Sequence, residues 1–164
     1  MTPICEQVLA ALAGKTLATA ESLTGGGIGA ALTAVPGSSA VYKGGIISYT
    51  NWVKAHLLGV PEEALEIHGA VSAPVAQAMA VGARKALETD VAVSVTGLAG
   101  PGGDDYGHPV GTVFIGYADR DRQMVLPCRF SGSREEIRRQ TIEAALHLVL
   151  DYNSGYADKQ EMRR

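Results

Sequence analysis

Thr19-Ala20-Glu21-Ser22-Leu23-Thr24-Gly25-Gly26-Gly27-Ile28-Gly29 is the stretch from which both the fold and the candidate chemistry can be read. The apolar run Thr16 to Ala20 predicts a buried strand, and Ile28 to Val35 has helical apolar spacing that ends at Pro36-Gly37. A serine and three consecutive glycines therefore sit at a strand-to-helix turn. Glycines let backbone approach a ligand closely, and the unpaired amides of a helix start attract a phosphate or an oxyanion. A hydroxyl beside those amides is where a nucleophile would sit. The alternative is a tight turn with a capping hydroxyl. The pattern is not a P-loop, because no Gly-Lys-Ser/Thr follows, and its glycines lack the spacing of a dinucleotide fingerprint.

On the N-terminal side, Ile4, Val8, Leu9 and Leu12 predict a helix with Thr2 as N-cap, Pro3 as first residue and Gly14 as stop. On the C-terminal side, Val41 to Tyr49 predicts a strand interrupted at Gly44-Gly45, then a helix from Asn51 to Leu58 ending at Gly59. Pro61-Glu62-Glu63 opens one further helical turn, and Ser72 caps a long Ala-rich helix over 73–87. Asp90 to Thr96 is a near-continuous apolar run, as in a strand covered on both faces. The loop from Gly97 to Pro109 is long for a compact domain, which points to function. Val110 to Ala118 and Gln123 to Phe130 alternate like a hairpin joined through Asp119 to Arg122. Ser133 with Glu136 forms a capping box for a last helix that runs to about Tyr152. The pattern is α/β: a three-layer α/β/α sandwich on a mixed, mostly parallel sheet with an antiparallel hairpin near the C-terminus. It predicts one domain over 1–153 and a polar tail over 154–164. Ligands in such folds collect at loops off the strand ends, here the Ser22 turn, the Tyr49-to-Lys54 turn and the Gly97-to-Pro109 loop.

Composition narrows the function classes. The 164 residues are 46% hydrophobic and 19% charged, ordinary for a soluble globular protein. A formal net charge of -3 argues against a general nucleic-acid binder. Cys5 and Cys128 show no metal-ligand spacing and suit reduced thiols. The N-terminus reads as neither a signal peptide nor a membrane span, so a soluble, cytoplasmic protein with no membrane partner is expected.

Lys54 falls in the first turn of its helix if Thr50 or Asn51 is the cap. There the positive end of the helix dipole, together with burial, would lower its pKa. A serine beside helix-start amides, with Lys54 and Tyr49 on a neighbouring turn, would make an acyl-transfer site without histidine. Taken singly, Lys54 reads equally as a solvated charge and Tyr49 as a core-edge residue. His56, His68, His108 and His147 are scattered and form no metal-ligand pair. His147, between Leu146 and Leu148, reads as structural, whereas His68 and His108 are candidates to line a pocket. Arg134 follows Ser131-Gly132-Ser133 and either meets an anion with the helix-start amides or pairs with Glu135 and Glu136.

These blocks resemble the CinA C-terminal domain family: Ala20 to Gly26, Ser48-Tyr49-Thr50-Asn51 with Lys54, Leu57 to Val60, His68 to Ser72, Thr96 to Gly103, Pro109 to Val113 and Phe130 to Arg134. They stand in the family's order over about residues 5–150. The resemblance implies a three-layer sandwich, commonly a homodimer or higher homo-oligomer, and a stand-alone form of a domain often joined to a pyrophosphatase-type domain. It implies hydrolysis of nicotinamide mononucleotide to nicotinate mononucleotide and ammonia, with no metal and no cofactor. Ser22 would be the nucleophile, Lys54 the general base and Tyr49 a proton relay or orienting hydroxyl. Thr24, Gly25 and Gly26 would supply amides, and Thr96, Gly97, Ala99, Gly100 and Arg134 would contact the nucleotide. The chain departs from the family's pattern at Leu23, where cysteine is frequent, at Thr50-Asn51-Trp52, where Ser-Asn-Glu is usual, and at Ser133. Competing readings are a non-catalytic nucleotide-binding or competence-related interaction module and an amidase for an unphosphorylated amide.

Overall fold

Glu21 ends a strand whose five residues are all buried, and that burial on both faces sets the architecture. The computed structural model describes residues 1–155. Its elements are α1 (Thr2–Ala11), β1 (Leu17–Glu21), α2 (Gly27–Thr33), β2 (Tyr42–Ile47), α3 (Asn51–Leu58), α4 (Glu62–His68), α5 (Ala73–Leu87), β3 (Val91–Gly97), β4 (Thr112–Ala118), β5 (Gln123–Arg129) and α6 (Arg134–Asn153), with a 3-10 turn at Ser38–Ala40. The strands form one sheet in the order β2-β1-β3-β4-β5. β1 lies parallel to both β2 and β3, while β3–β4 and β4–β5 are antiparallel. The α/β sandwich with a terminal hairpin is therefore the observed fold.

Alternation along the strands divides two cores. Leu17, Val91, Val93 and Ile115 pack with α1, α2 and α6, whose contributions include Val8, Ile28, Leu146 and Val149. Ala18, Ala20 and Ala92 face α5 and its neighbours, meeting Leu58, Leu65, Val75, Met79 and Ala83. Small residues on that face let α5 lie close. Ser94 Oγ donates to Ala76 O at 2.6 Å, linking the central strand to the α5 backbone.

Several boundaries differ from the sequence reading. β2 is continuous through Gly44-Gly45, and its register instead shifts between Leu17 and Ala18, which face Tyr42 and Gly44, so that Lys43 is the extra residue. α1 begins at Thr2 with Met1 as N-cap and no side-chain cap. α4 is a seven-residue helix, longer than the single turn expected, and β4 starts at Thr112, two residues later than Val110. Ser72 precedes α5 but its hydroxyl donates back to Gly69 O at 2.9 Å instead of accepting from the helix. His147 is exposed, on the outward side of α6. The expected tail lies outside the described residues from 156 onward. No helix among the described residues is long and apolar enough to cross a membrane.

Candidate active site

Because β1, β2 and β3 run parallel, their C-terminal ends share one edge of the sheet, and the three expected loops meet there. A cavity of about 460 Å³ opens among Ser22, Tyr49, Lys54, the Thr96-to-Gly100 segment and Arg134.

Ser22 is the first residue past β1. Its amide extends the parallel ladder by donating to Val95 O at 3.1 Å, and its side chain is buried. The turn that follows closes on itself: Gly25 N donates to Ser22 O at 3.1 Å and Gly27 N to Thr24 O at 3.0 Å. Gly25 and Gly26 carry φ of 58° and 100°, which only glycine adopts without strain. From α6, Arg138 Nε donates to Leu23 O at 2.9 Å and Nη2 to Thr24 O at 3.2 Å, so the turn is held from outside as well.

The helix-start amides are not open to a ligand. Glu21, 2% exposed, turns its carboxylate into the start of α2. Oε1 accepts from Ile28 N at 2.8 Å and Thr24 Oγ1 at 2.6 Å; Oε2 accepts from Gly29 N at 3.1 Å and Thr19 Oγ1 at 3.3 Å. An internal anion thus fills the cradle that the sequence reading offered to a phosphate or oxyanion. For the same reason Thr24, Gly25 and Gly26, expected to supply amides to substrate, lie outside the cavity lining: the Thr24 hydroxyl faces Glu21, and the Gly25 and Gly27 amides close the turn.

Lys54 comes from α3. Thr50 caps that helix, its hydroxyl accepting from Val53 N at 3.5 Å, which places Lys54 in the opening turn. Its side chain crosses inward and is 1% exposed. Nζ donates to Ser48 O at 2.7 Å, to Ser22 Oγ at 3.0 Å and to Tyr49 O at 3.5 Å, and no carboxylate pairs with it among the described residues. Burial lowers its pKa from the ordinary 10.5 to about 8. The hydroxyl of neighbouring Ser48 is buried without a hydrogen-bond partner.

Tyr49 lines the cavity, but its hydroxyl does not reach Ser22 or Lys54. It accepts instead from Arg134 Nη2 at 3.2 Å, while Arg134 Nη1 donates to Gly100 O at 2.6 Å. The expected relay is therefore a link in a rim that ties the start of α6 to both other loops. Arg134 makes no ion pair with Glu135 or Glu136. Thr96 donates to Ala70 O at 2.8 Å and, with Gly97, Ala99 and Gly100, forms part of the lining as expected.

The sequence reading missed three contributors. Glu21 offers no local signal beyond being an acid directly after the apolar run Thr16 to Ala20. Arg138, within the last helix, has no local signal that directs it to the Ser22 turn. Tyr106, read as plain loop, donates to Glu66 O at 2.7 Å and anchors the long loop to α4. Within that loop Asp104 accepts from His108 N at 2.9 Å, Tyr106 N at 3.1 Å and His108 Nδ1 at 2.7 Å. Partial burial opposes ionisation of Asp104, but these hydrogen bonds prevail and hold its carboxyl below the usual range. His108 thus organises the loop and, like His68, does not line the cavity.

Residues 2–153 match the family described as the CinA C-terminal domain. The chain belongs to the CinA C-terminal domain family. A CinA-like protein of Mycolicibacterium gilvum is 46% identical over 151 residues, covering 92% of this chain and 36% of its own length. Another, from Parasynechococcus marenigrum, is 56% identical over 121 residues, covering 74% of this chain and 29% of its own length. The chain therefore spans roughly a third of the curated relatives it matches. The crystal structure of a CinA superfamily protein from Klebsiella pneumoniae superposes with a TM-score of 0.91 at 32% identity, covering 93% of this chain and 97% of that one. The competence/damage inducible protein CihA of Agrobacterium tumefaciens gives 0.89 at 38% identity, covering 93% and 94%. Of the departures from the CinA pattern, Leu23 is buried and forms part of the cavity lining, whereas Trp52 is 63% exposed and stacked on His56, ring centroids 4.2 Å apart, outside that lining.

Proposed function

We propose that this domain is an amidohydrolase that deamidates nicotinamide mononucleotide through a Ser22 nucleophile and a Lys54 base. The observation that carries the reading is the buried Lys54 Nζ 3.0 Å from Ser22 Oγ, with no carboxylate to keep it charged. Near neutral pH a usable fraction of this amine is unprotonated. Its two remaining hydrogens then stay on Ser48 O and Tyr49 O, which leaves the lone pair directed at Ser22. The serine contact then runs the other way, with the hydroxyl donating to the amine.

Lys54 takes the Ser22 proton as Oγ attacks the carboxamide carbon. The backbone of Leu23, directly after the nucleophile, and of Ala99 and Gly100, past the Leu98 amide that donates to Thr112 O at 2.9 Å, supplies amides for the developing oxyanion, a stabilisation of roughly 3 kcal/mol per donor. The protonated lysine gives its proton to the departing nitrogen, and the C–N bond breaks to release ammonia. Water then attacks the Ser22 ester with the same amine as base, giving nicotinate mononucleotide and restoring the hydroxyl. Arg134 holds the 5′-phosphate at the rim, leaving Tyr49 an orienting role through that guanidinium. Ser22→Ala should lower ammonia release from nicotinamide mononucleotide by about a thousandfold or more. Unchanged turnover would remove Ser22 from the chemistry.

A further inference from the structure

A cavity that takes a phosphomonoester is expected to carry excess positive charge, yet this one has an uncompensated carboxylate. Its lining contains four ionisable side chains besides the tyrosines: Lys54, Asp104, Asp105 and Arg134. Lys54 is buried against Ser22 and two carbonyls. Asp104 is committed to His108 and to the turn of its own loop. Arg134 rests on neutral partners, Gly100 O and the Tyr49 hydroxyl, and keeps its charge for a ligand. Asp105 has no hydrogen bond and no ion pair among the described residues. Facing a plain phosphate it would only repel.

We propose that Asp105 is a specificity-determining residue that makes the cavity complementary to a dipolar nucleotide, anionic at its phosphate and cationic at its ring. This rests on the amidase reading and names the charge state of the substrate it accepts: the oxidised pyridinium form, in preference to a neutral ring bearing the same amide, ribose and phosphate. The loop that carries Asp105 is held in place, because Asp104 braces the turn and Tyr106 is tied to Glu66 O at 2.7 Å. Holding the loop backbone in advance lowers the entropy lost on binding. In a solvent-open mouth one such charge pair contributes little, about fivefold in affinity, and added salt weakens it.

The test uses the Ser22→Ala protein, which binds without turning over, and compares nicotinamide mononucleotide with its neutral 1,4-dihydro form by calorimetry. Ser22→Ala should bind the cationic form about fivefold more tightly, and adding Asp105→Asn should erase that preference by weakening the cationic form while leaving the neutral form no weaker. Equal weakening of both ligands, or no weakening of either, overturns the role of Asp105 and leaves the amidase reading standing. If Ser22→Ala binds neither ligand, the amidase reading falls and this inference with it.

Discussion

At the scale of single residues, Lys54, the proposed base, sets stability against chemistry. In the unfolded chain its amine has the ordinary pKa of 10.5, and in the folded one about 8. Between those values the unfolded state holds a proton that the folded state has lost, so stability rises with pH across that window. Below about 8 both states are protonated, and the folded state bears the whole cost of burying an ammonium, roughly 3 kcal/mol for that difference in pKa. Lys54→Met removes this cost and also three hydrogen bonds. It should therefore stabilise the protein at pH 7 by about 1–3 kcal/mol, with a gain that shrinks as pH approaches 10.5. Activity should disappear in the same variant, and in the parent it should climb as pH rises through about 8. Thermal melts of both proteins from pH 7 to 10 check the stability half. A melting difference that does not change with pH would show that Lys54 is not the titrating group.

Secondary-structure elements place that lysine, some through local signals and some only through tertiary contacts. A cap at Thr50 or Asn51, a helix over 51–58 and Gly59 as stop are readable because each is a local preference of one residue type, and the structure decides for Thr50. The convergence of three loops was readable as well, since parallel strands must present their C-terminal ends together. Glu21 was not readable. In a strand buried on both faces the apolar pattern does not say which side a residue faces, so only the structure shows that Glu21 lies on the α2 side. Nor could local spacing pair Tyr49 with Arg134, which are 85 residues apart. The seating of α3 depends on a similar non-local contact. A Cβ on Gly82 of α5 would run into the Leu58 carbonyl at the end of α3. Backbone there cannot yield as a flexible side chain would, so Gly82→Ala must push α3 away from α5 and shift Lys54 with it. The expected result is a loss of about 1–3 kcal/mol of stability, as in other overpacked contacts, together with a fall in kcat larger than the change in KM. A variant that melts lower but keeps its kcat would mean that the Lys54 reach to Ser22 tolerates movement of α3.

For the whole molecule, the decisive fact is that the cavity is assembled from far-separated parts of the chain. Ser22 follows β1, Tyr49 and Lys54 follow β2, the Gly97-to-Gly100 segment follows β3, and Arg134 begins α6. Only the folded sheet with helices on both faces brings them together, so the unfolded chain has no comparable site. A ligand of that cavity must then stabilise the entire domain by mass action, by about 2.7 kcal/mol at a concentration one hundred times its Kd. For a chain of this length that corresponds to a rise in Tm of roughly 5–10 °C. Nicotinamide mononucleotide should produce this rise in the Ser22→Ala protein, which avoids turnover during the scan. At the same concentration nicotinamide riboside, which lacks the 5′-phosphate, should produce much less. Arg134→Ala in that background should reduce the response to the mononucleotide to the level of the riboside, because the guanidinium that bridges Gly100 and Tyr49 is the rim cation facing the cavity. If the mononucleotide shift survives Arg134→Ala in full, the phosphate is held elsewhere. The Glu21-filled start of α2 is already closed to it, which would leave the backbone of the Gly97-to-Gly103 loop to hold it.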